Sequence, residues 1–174
     1  MSGLQAVCAL VRWGTGSAAV SVATVADDHL HYVAADGAGA EAIVGARLPA
    51  GRGIAGFAAA TGQSLTVREP ESDPRFARET ALATGYLPSA IQCIPVEDGH
   101  GEVVAVLTLL DRSGTPSPLA DALPLGRVTE LVAELLSAQH GPSDDLQARL
   151  DRLPAADRAR ARTALLAVLD AIDR

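Results

Sequence analysis

Two apolar runs, Ala90–Val96 and Glu102–Leu110, separated by only Glu97-Asp98-Gly99-His100-Gly101, constrain this chain most. Strands so closely connected pair antiparallel, because a parallel pair needs a crossover of about a dozen residues or more. The Asp-Gly step supplies the turn. Upstream, Ala18–Val25 and His29–Ala34 flank Asp27-Asp28 and read as a second hairpin. Antiparallel hairpins with helical segments between and around them place the fold in the α+β class.

The remaining elements are expected around this frame. Leu4–Trp13 is compatible with a short helix or a strand, with Leu4, Val7, Cys8 and Val11 at helical spacing. Glu41–Leu48 reads as a short strand stopped by Pro49. Gly51–Ala60 is an alanine-rich helix closed by Thr61-Gly62. Ser64–Val67 is a further strand. A polar loop then leads to Asp73, expected to cap a helix with Pro74 at its first position, running through Phe76 and Leu82 to Thr84. A turn is expected at Ser113–Ser117. Pro124 marks the start of a helix whose Val128, Leu131, Val132, Leu135 and Leu136 form one stripe. After Gly141-Pro142 a helical pair is expected. Ser143 would cap the first helix, Leu146, Leu150 and Leu153 stripe it, and Pro154 breaks it; Ala161, Leu165, Val168, Leu169 and Ile172 stripe the second.

Composition narrows the function. The net charge is −7, with 15 acidic and 8 basic side chains in residues 1–141 and six of each in 142–174. An acidic body repels phosphate backbones, so no nucleic acid is expected as partner. No stretch approaches the ~20 apolar residues of a membrane span, and no basic region precedes the first short apolar run, so a soluble cytoplasmic protein is expected. Lysine and asparagine are absent. Gly51-Arg52-Gly53-Ile54-Ala55-Gly56 matches a dinucleotide fingerprint, but Pro49 and antiparallel strands give it the wrong context, and a turn with close helix packing fits better. His29 and His31 share one strand face without an evident third ligand, so neither metal nor haem is expected. Cys8 and Cys93 have no metal spacing. Cys93 is the better redox candidate, though Ile91 and Ile94 beside it point to a buried, inert thiol.

Four segments in order resemble the GAF domain family. They are Leu48-Pro49-Ala50-Gly51-Arg52-Gly53-Ile54-Ala55-Gly56-Phe57 with its closing Thr61-Gly62; Asp73-Pro74-Arg75-Phe76; Ser89-Ala90-Ile91-Gln92-Cys93-Ile94-Pro95-Val96; and Gly101-Glu102-Val103-Val104-Ala105-Val106-Leu107, where Ala105 replaces a usual glycine. The resemblance implies a five- or six-stranded antiparallel sheet flanked by helices over residues 1–140, with 141–174 as a helical tail for dimerisation or partner binding. It also implies a ligand pocket between the last two strands and a lid at 68–88. The residues it nominates are Arg75, Phe76, Tyr86, Ser89, Ile91, Cys93 and Thr108. Arg75 would meet an anion, with the alternative that it caps its own loop through Asp73 or Glu79; Tyr86 would stack on a ligand or simply fill the lid.

The family's cyclic-nucleotide signature needs asparagine and lysine, which this chain lacks. Its bilin and methionine-sulfoxide-reducing members use cysteines that are missing from Arg68–Ala90. No catalytic residue and no cofactor are therefore expected. The implied function is a regulatory module that senses a small molecule or anion and acts through homodimer contacts or a signalling partner. The alternatives are a ligand-free scaffold, and a thiol-based redox protein using Cys93.

Overall fold

The computed structural model describes residues 2–112 and 124–139. The expected turn at 113–117 and the helical pair at 141–174 lie outside the described residues. Contacts divide the chain into one unit over Met1–Leu135 and another over Leu136–Arg174. The sheet, the helices up to residue 83 and the cavity below belong to the first.

The N-terminal run is a helix, α1 (Gly3–Thr15), not a strand. Ser2 caps it by accepting from the Gln5 amide at 3.2 Å, and Gly16 ends it in the left-handed conformation. Leu4, Val7, Cys8 and Val11 form its buried stripe. Next come β1 (Ala19–Ala26) and β2 (His29–Gly37), joined as expected through Asp27-Asp28. Both aspartates have positive φ, 50° and 58°, the geometry a two-residue turn between twisted strands requires.

The stretch expected as a strand over Glu41–Leu48 is corrected. Its first half is the short helix α2 (Ala40–Ile43), and only β3 (Arg47–Pro49) pairs with β2. Gly39 and Gly45, at φ 71° and 89°, turn the chain into and out of that helix, which interrupts any continuous ladder. Helix α3 (Gly53–Thr61), closed by Gly62, leads to β4 (Leu65–Arg68). After a 3₁₀ turn at Pro70–Ser72, α4 runs over Arg78–Ala83. Asp73 is therefore not the N-cap expected. Its carboxylate is taken by the Arg75 amide and guanidinium, which holds Pro74–Phe76 out of the helix. Strands β5 (Ala90–Glu97) and β6 (Val103–Leu110) form the second hairpin, and α5 covers Leu125–Gln139.

The six strands form one antiparallel sheet in the order β3-β2-β1-β6-β5-β4. Strand β1 reads Ala-Val-Ser-Val-Ala-Thr-Val-Ala, so its alternation sorts large from small side chains. Val20 and Val22, paired with Leu109 and Leu107 of β6, are wholly or almost wholly buried on one face. Helix α1 lies against β1 and β2, tied by the Arg12–Asp36 ion pair and by a 2.6 Å bond from Gln5 Nε2 to the Ala35 carbonyl. Val128 and Val132 of α5 are buried, and Leu135 stands against Gly3 of α1. The other face carries Ser21 and Ala23, Thr108 and Val106, Cys93 and Ile91 from successive strands, under α2, α3 and α4.

Candidate functional site

Small side chains on that second face leave a cavity of about 110 Å³. An apolar void of comparable volume is large enough for a benzene-sized guest. Its floor is a row running across the strands. Ala35 pairs with Ser21, Ser21 with Thr108, and Thr108 with Cys93. The Cys93 thiol lies 3.6 Å from the Thr108 hydroxyl, a weak contact, and both side chains are buried. The roof comes from Ile43 of α2, the first turn of α3, Phe76, Thr80 and Ala81 of α4, and its C-cap Thr84.

Among the seven sequence candidates, Phe76, Tyr86, Ile91, Cys93 and Thr108 line the cavity, and Arg75 and Ser89 do not. Arg75 grips Asp73 with two parallel bonds, Nε–Oδ1 at 2.9 Å and Nη2–Oδ2 at 2.7 Å. Its guanidinium also sits 4.8 Å from the centre of the Phe57 ring. The bond from Arg75 holds the Asp73 carboxyl down at about 2. This is the loop-capping arrangement weighed against the anion reading.

Ser89 is likewise committed inside the protein. Its hydroxyl donates to Asp111 Oδ1 at 2.6 Å, and its amide and that of Ala90 donate to the same oxygen at 2.8 Å. The Tyr86 hydroxyl donates to the other oxygen, Oδ2. Burial opposes ionisation of Asp111, but the donors from Ser89, Tyr86 and Ala90 win, so its pKa is lowered. Burial and then Asp111 push Tyr86 up to about 12. Asp111, at the end of β6 with φ 47°, thus fastens the returning end of the lid to the sheet. Sequence reasoning missed it; a lone aspartate just after a strand carries no signal for partners some twenty residues away.

Tyr32 was also missed, although alternation with Leu30 along β2 places it on the inward face. It is 9% exposed and lines the cavity, and its hydroxyl has no hydrogen-bond partner among the described residues. Burial, and then Cys93, raise its pKa, so it is a neutral donor at ordinary pH. The third overlooked feature is the start of α3. Arg52 occupies the N-cap position without a capping side-chain bond, and Gly53, Ile54 and Ala55 of the first turn line the cavity. The glycines of the fingerprint-like stretch shape this turn. Gly51 and Gly53 have φ 83° and 75°, and a Cβ on Gly56 would come within 2.9 Å of the Gly51 nitrogen. The stretch follows an edge strand of an antiparallel sheet, so the βαβ context of a dinucleotide site is missing.

Both thiols are buried, and burial raises each to about 12, with Asp36 adding to the shift at Cys8. His29 and His31 sit on the sheet face opposite Leu30 and Tyr32, ring centres 6.4 Å apart, with His29 Nδ1 2.8 Å from the Asp27 carbonyl. Among the described residues no three His, Cys, Asp or Glu side chains are grouped to hold a metal, and no helix is long and apolar enough to cross a membrane.

The family model for the GAF domain matches residues 2–141. A cGMP-specific 3′,5′-cyclic phosphodiesterase of Drosophila pseudoobscura pseudoobscura is 37% identical over 76 residues, 44% of this chain and 7% of that enzyme. The chain thus spans less than a tenth of the curated relatives it matches. The GAF domain of an Acinetobacter phosphoenolpyruvate-protein phosphotransferase superposes with a TM-score of 0.64 at 15% identity, covering 81% of this chain and 84% of that one. The free methionine-R-sulfoxide reductase of Neisseria meningitidis does so with 0.60 at 23% identity, covering 78% and 76%. At these identities the structural likeness speaks for the fold alone.

Proposed function

The chain belongs to the GAF domain family, and from that premise we propose that it is a regulatory module that senses a small molecule and has no catalytic role. The ligand occupies the chamber between sheet and lid, and occupancy is passed through the terminal helices to a second copy of the chain or to a signalling partner. The observation that carries this reading is the chamber of about 110 Å³ between sheet and lid, with the Tyr32 side chain on its wall.

A ligand-free scaffold would fill that space with its own side chains. A thiol-based enzyme would need an accessible thiolate, and burial opposes that at both cysteines. Dimerisation is supported by apolar side chains left outside on the terminal helices: Trp13 is 67% exposed, and Leu10 and Leu131 are exposed too. Residues 141–174 are assigned to partner or dimer contacts on their sequence pattern.

Native mass spectrometry of freshly purified protein, compared with the denatured sample, tests both halves. A dimer carrying added non-covalent mass is the expected result. If a fragment library surveyed by ligand-observed NMR finds nothing that competes for the chamber, the sensing reading fails. A strict monomer in sedimentation overturns the helix-mediated dimer.

A further inference from the structure

We propose that the ligand of the chamber is a compact neutral molecule, an apolar body of one ring or a short branched chain, with a single polar end lying on the Ser21–Thr108 floor. This rests on the sensing reading above and specifies the ligand class for the same site.

The lining speaks against charge. Among its described residues Arg52 alone carries a charged side chain, and Arg52 is exposed. An ion of either sign drawn inside would give up its hydration with no buried counter-charge in exchange. No buried side-chain nitrogen or oxygen among the described residues lacks a hydrogen-bond partner. The chamber thus holds no set of stranded polar groups for a phosphate or a polyhydroxylated ligand to satisfy, and the surplus polar atoms of such a ligand would be desolvated unpaired. Two hydroxyls on the lid side are taken as well. Tyr86 donates to Asp111, and Thr84 donates to the Ala81 carbonyl at 2.8 Å.

Floor and roof differ in a way that orients a guest. Ser21 faces Thr108 in register across β1 and β6, and Thr108 faces Cys93 across β6 and β5, so the three make one short polar row. The contact of the Thr108 hydroxyl with the Cys93 thiol, at 3.6 Å, is weak, so that hydroxyl can turn to a ligand atom at little loss. The roof over the row is apolar at Ile43, Ile54 and Phe76, and Ile91 and Leu110 add to the walls. A molecule with one polar end and an apolar body matches that division: burial of the body supplies affinity and the hydroxyls fix its direction. A volume of about 110 Å³ sets the size at one ring or a short branched chain.

Four probes of nearly one shape separate these contributions: benzyl alcohol, ethylbenzene, which lacks the polar atom, and the ions benzoate and benzylammonium. Calorimetric titration of the full chain at pH 7 is expected to rank benzyl alcohol first, with ethylbenzene at least threefold weaker and both ions at least tenfold weaker. In Thr108→Val and in Ser21→Ala the alcohol–ethylbenzene ratio falls toward one, whereas Arg127→Gln, on α5, keeps it. Because the readout is a ratio between probes on one protein, a variant that merely loses stability does not imitate the result. Either ion binding as tightly as the alcohol overturns the neutral assignment. Ethylbenzene binding as tightly as the alcohol, or a ratio unmoved by both floor variants, overturns the polar contact; in each of these cases sensing survives. If all four probes stay out, the fragment library decides: neutral occupants of the chamber uphold the assignment, and ionic ones end it. A chamber that refuses the probes and the whole library removes the sensing reading along with it.

Discussion

The two faces of the sheet are built from the same strands and differ in side-chain size. In β1 and β6 the face toward α1 carries Val20, Val22, Leu107 and Leu109, while the face toward the lid carries Ala19, Ser21, Val106 and Thr108. The first packs shut; the second leaves a chamber. Stability and binding are thereby assigned to alternate positions of one ladder, and substitutions one residue apart should give different results.

The largest effect is expected on the closed face. Leu107→Ala removes a fully buried side chain and should cost about 2–5 kcal/mol in urea unfolding. If it costs under about 1 kcal/mol, that face is not the tighter core and the comparison fails. A smaller loss is expected where the lid is fastened. Asp111→Asn removes a charge that serves two side chains and two amides, and should cost about 1–3 kcal/mol, with faster amide exchange confined to the lid and to Ser89–Ala90. Because folding lowers the pKa of Asp111, its contribution is present above the unfolded value of about 3.9 and is lost as pH falls. Wild type and variant should therefore converge in stability below about pH 4. A constant gap across that range would mean that the carboxylate's charge is not what fastens the lid.

Much of the frame was legible because its signals are local. Asp27-Asp28 and Asp98-Gly99 lie between runs whose strand character needs no distant partner, and Gly62 ends α3 by its own conformation. The elements misread depend on competition. Asp73 looks like a cap until Arg75, two residues on, takes its carboxylate. The run at 41–48 is apolar enough for a strand, yet Gly45 breaks it, so only its last two residues pair. Within the site, the family pattern pointed at the lid and β5, and five of its seven residues do face one cavity. It pointed away from Tyr32 and the α3 amides, since an aromatic in a strand is ordinarily core and a backbone donor has no letter in the sequence.

The thiols sharpen the comparison at less cost, since Cys8 lies under the closed face and Cys93 on the open one, yet both are buried. Neither should react with Ellman's reagent at pH 8 in the native protein, and both should react at once in guanidinium. Rapid native labelling of Cys93 alone would mean that the chamber admits solvent to its floor. The raised values also set an alkaline limit. An unfolded thiol ionises near pH 9 and a folded one near 12, so the stability that burial confers is intact below pH 9 and is lost progressively from about pH 9 to 12.

The smallest effect on stability should come from Thr108→Val, one residue from Leu107 and facing the other way. The Thr108 hydroxyl has one weak contact, to the Cys93 thiol at 3.6 Å, and the replacement keeps the branch and nearly the volume. Loss of a full buried bond would cost about 1 kcal/mol. Here the change in unfolding free energy should stay within about 0.5 kcal/mol, while the altered floor changes which probes the chamber accepts. A change near 2 kcal/mol would show that the open face contributes to stability as the closed one does. The size difference between the two faces would then be a matter of packing economy, with no division of labour behind it.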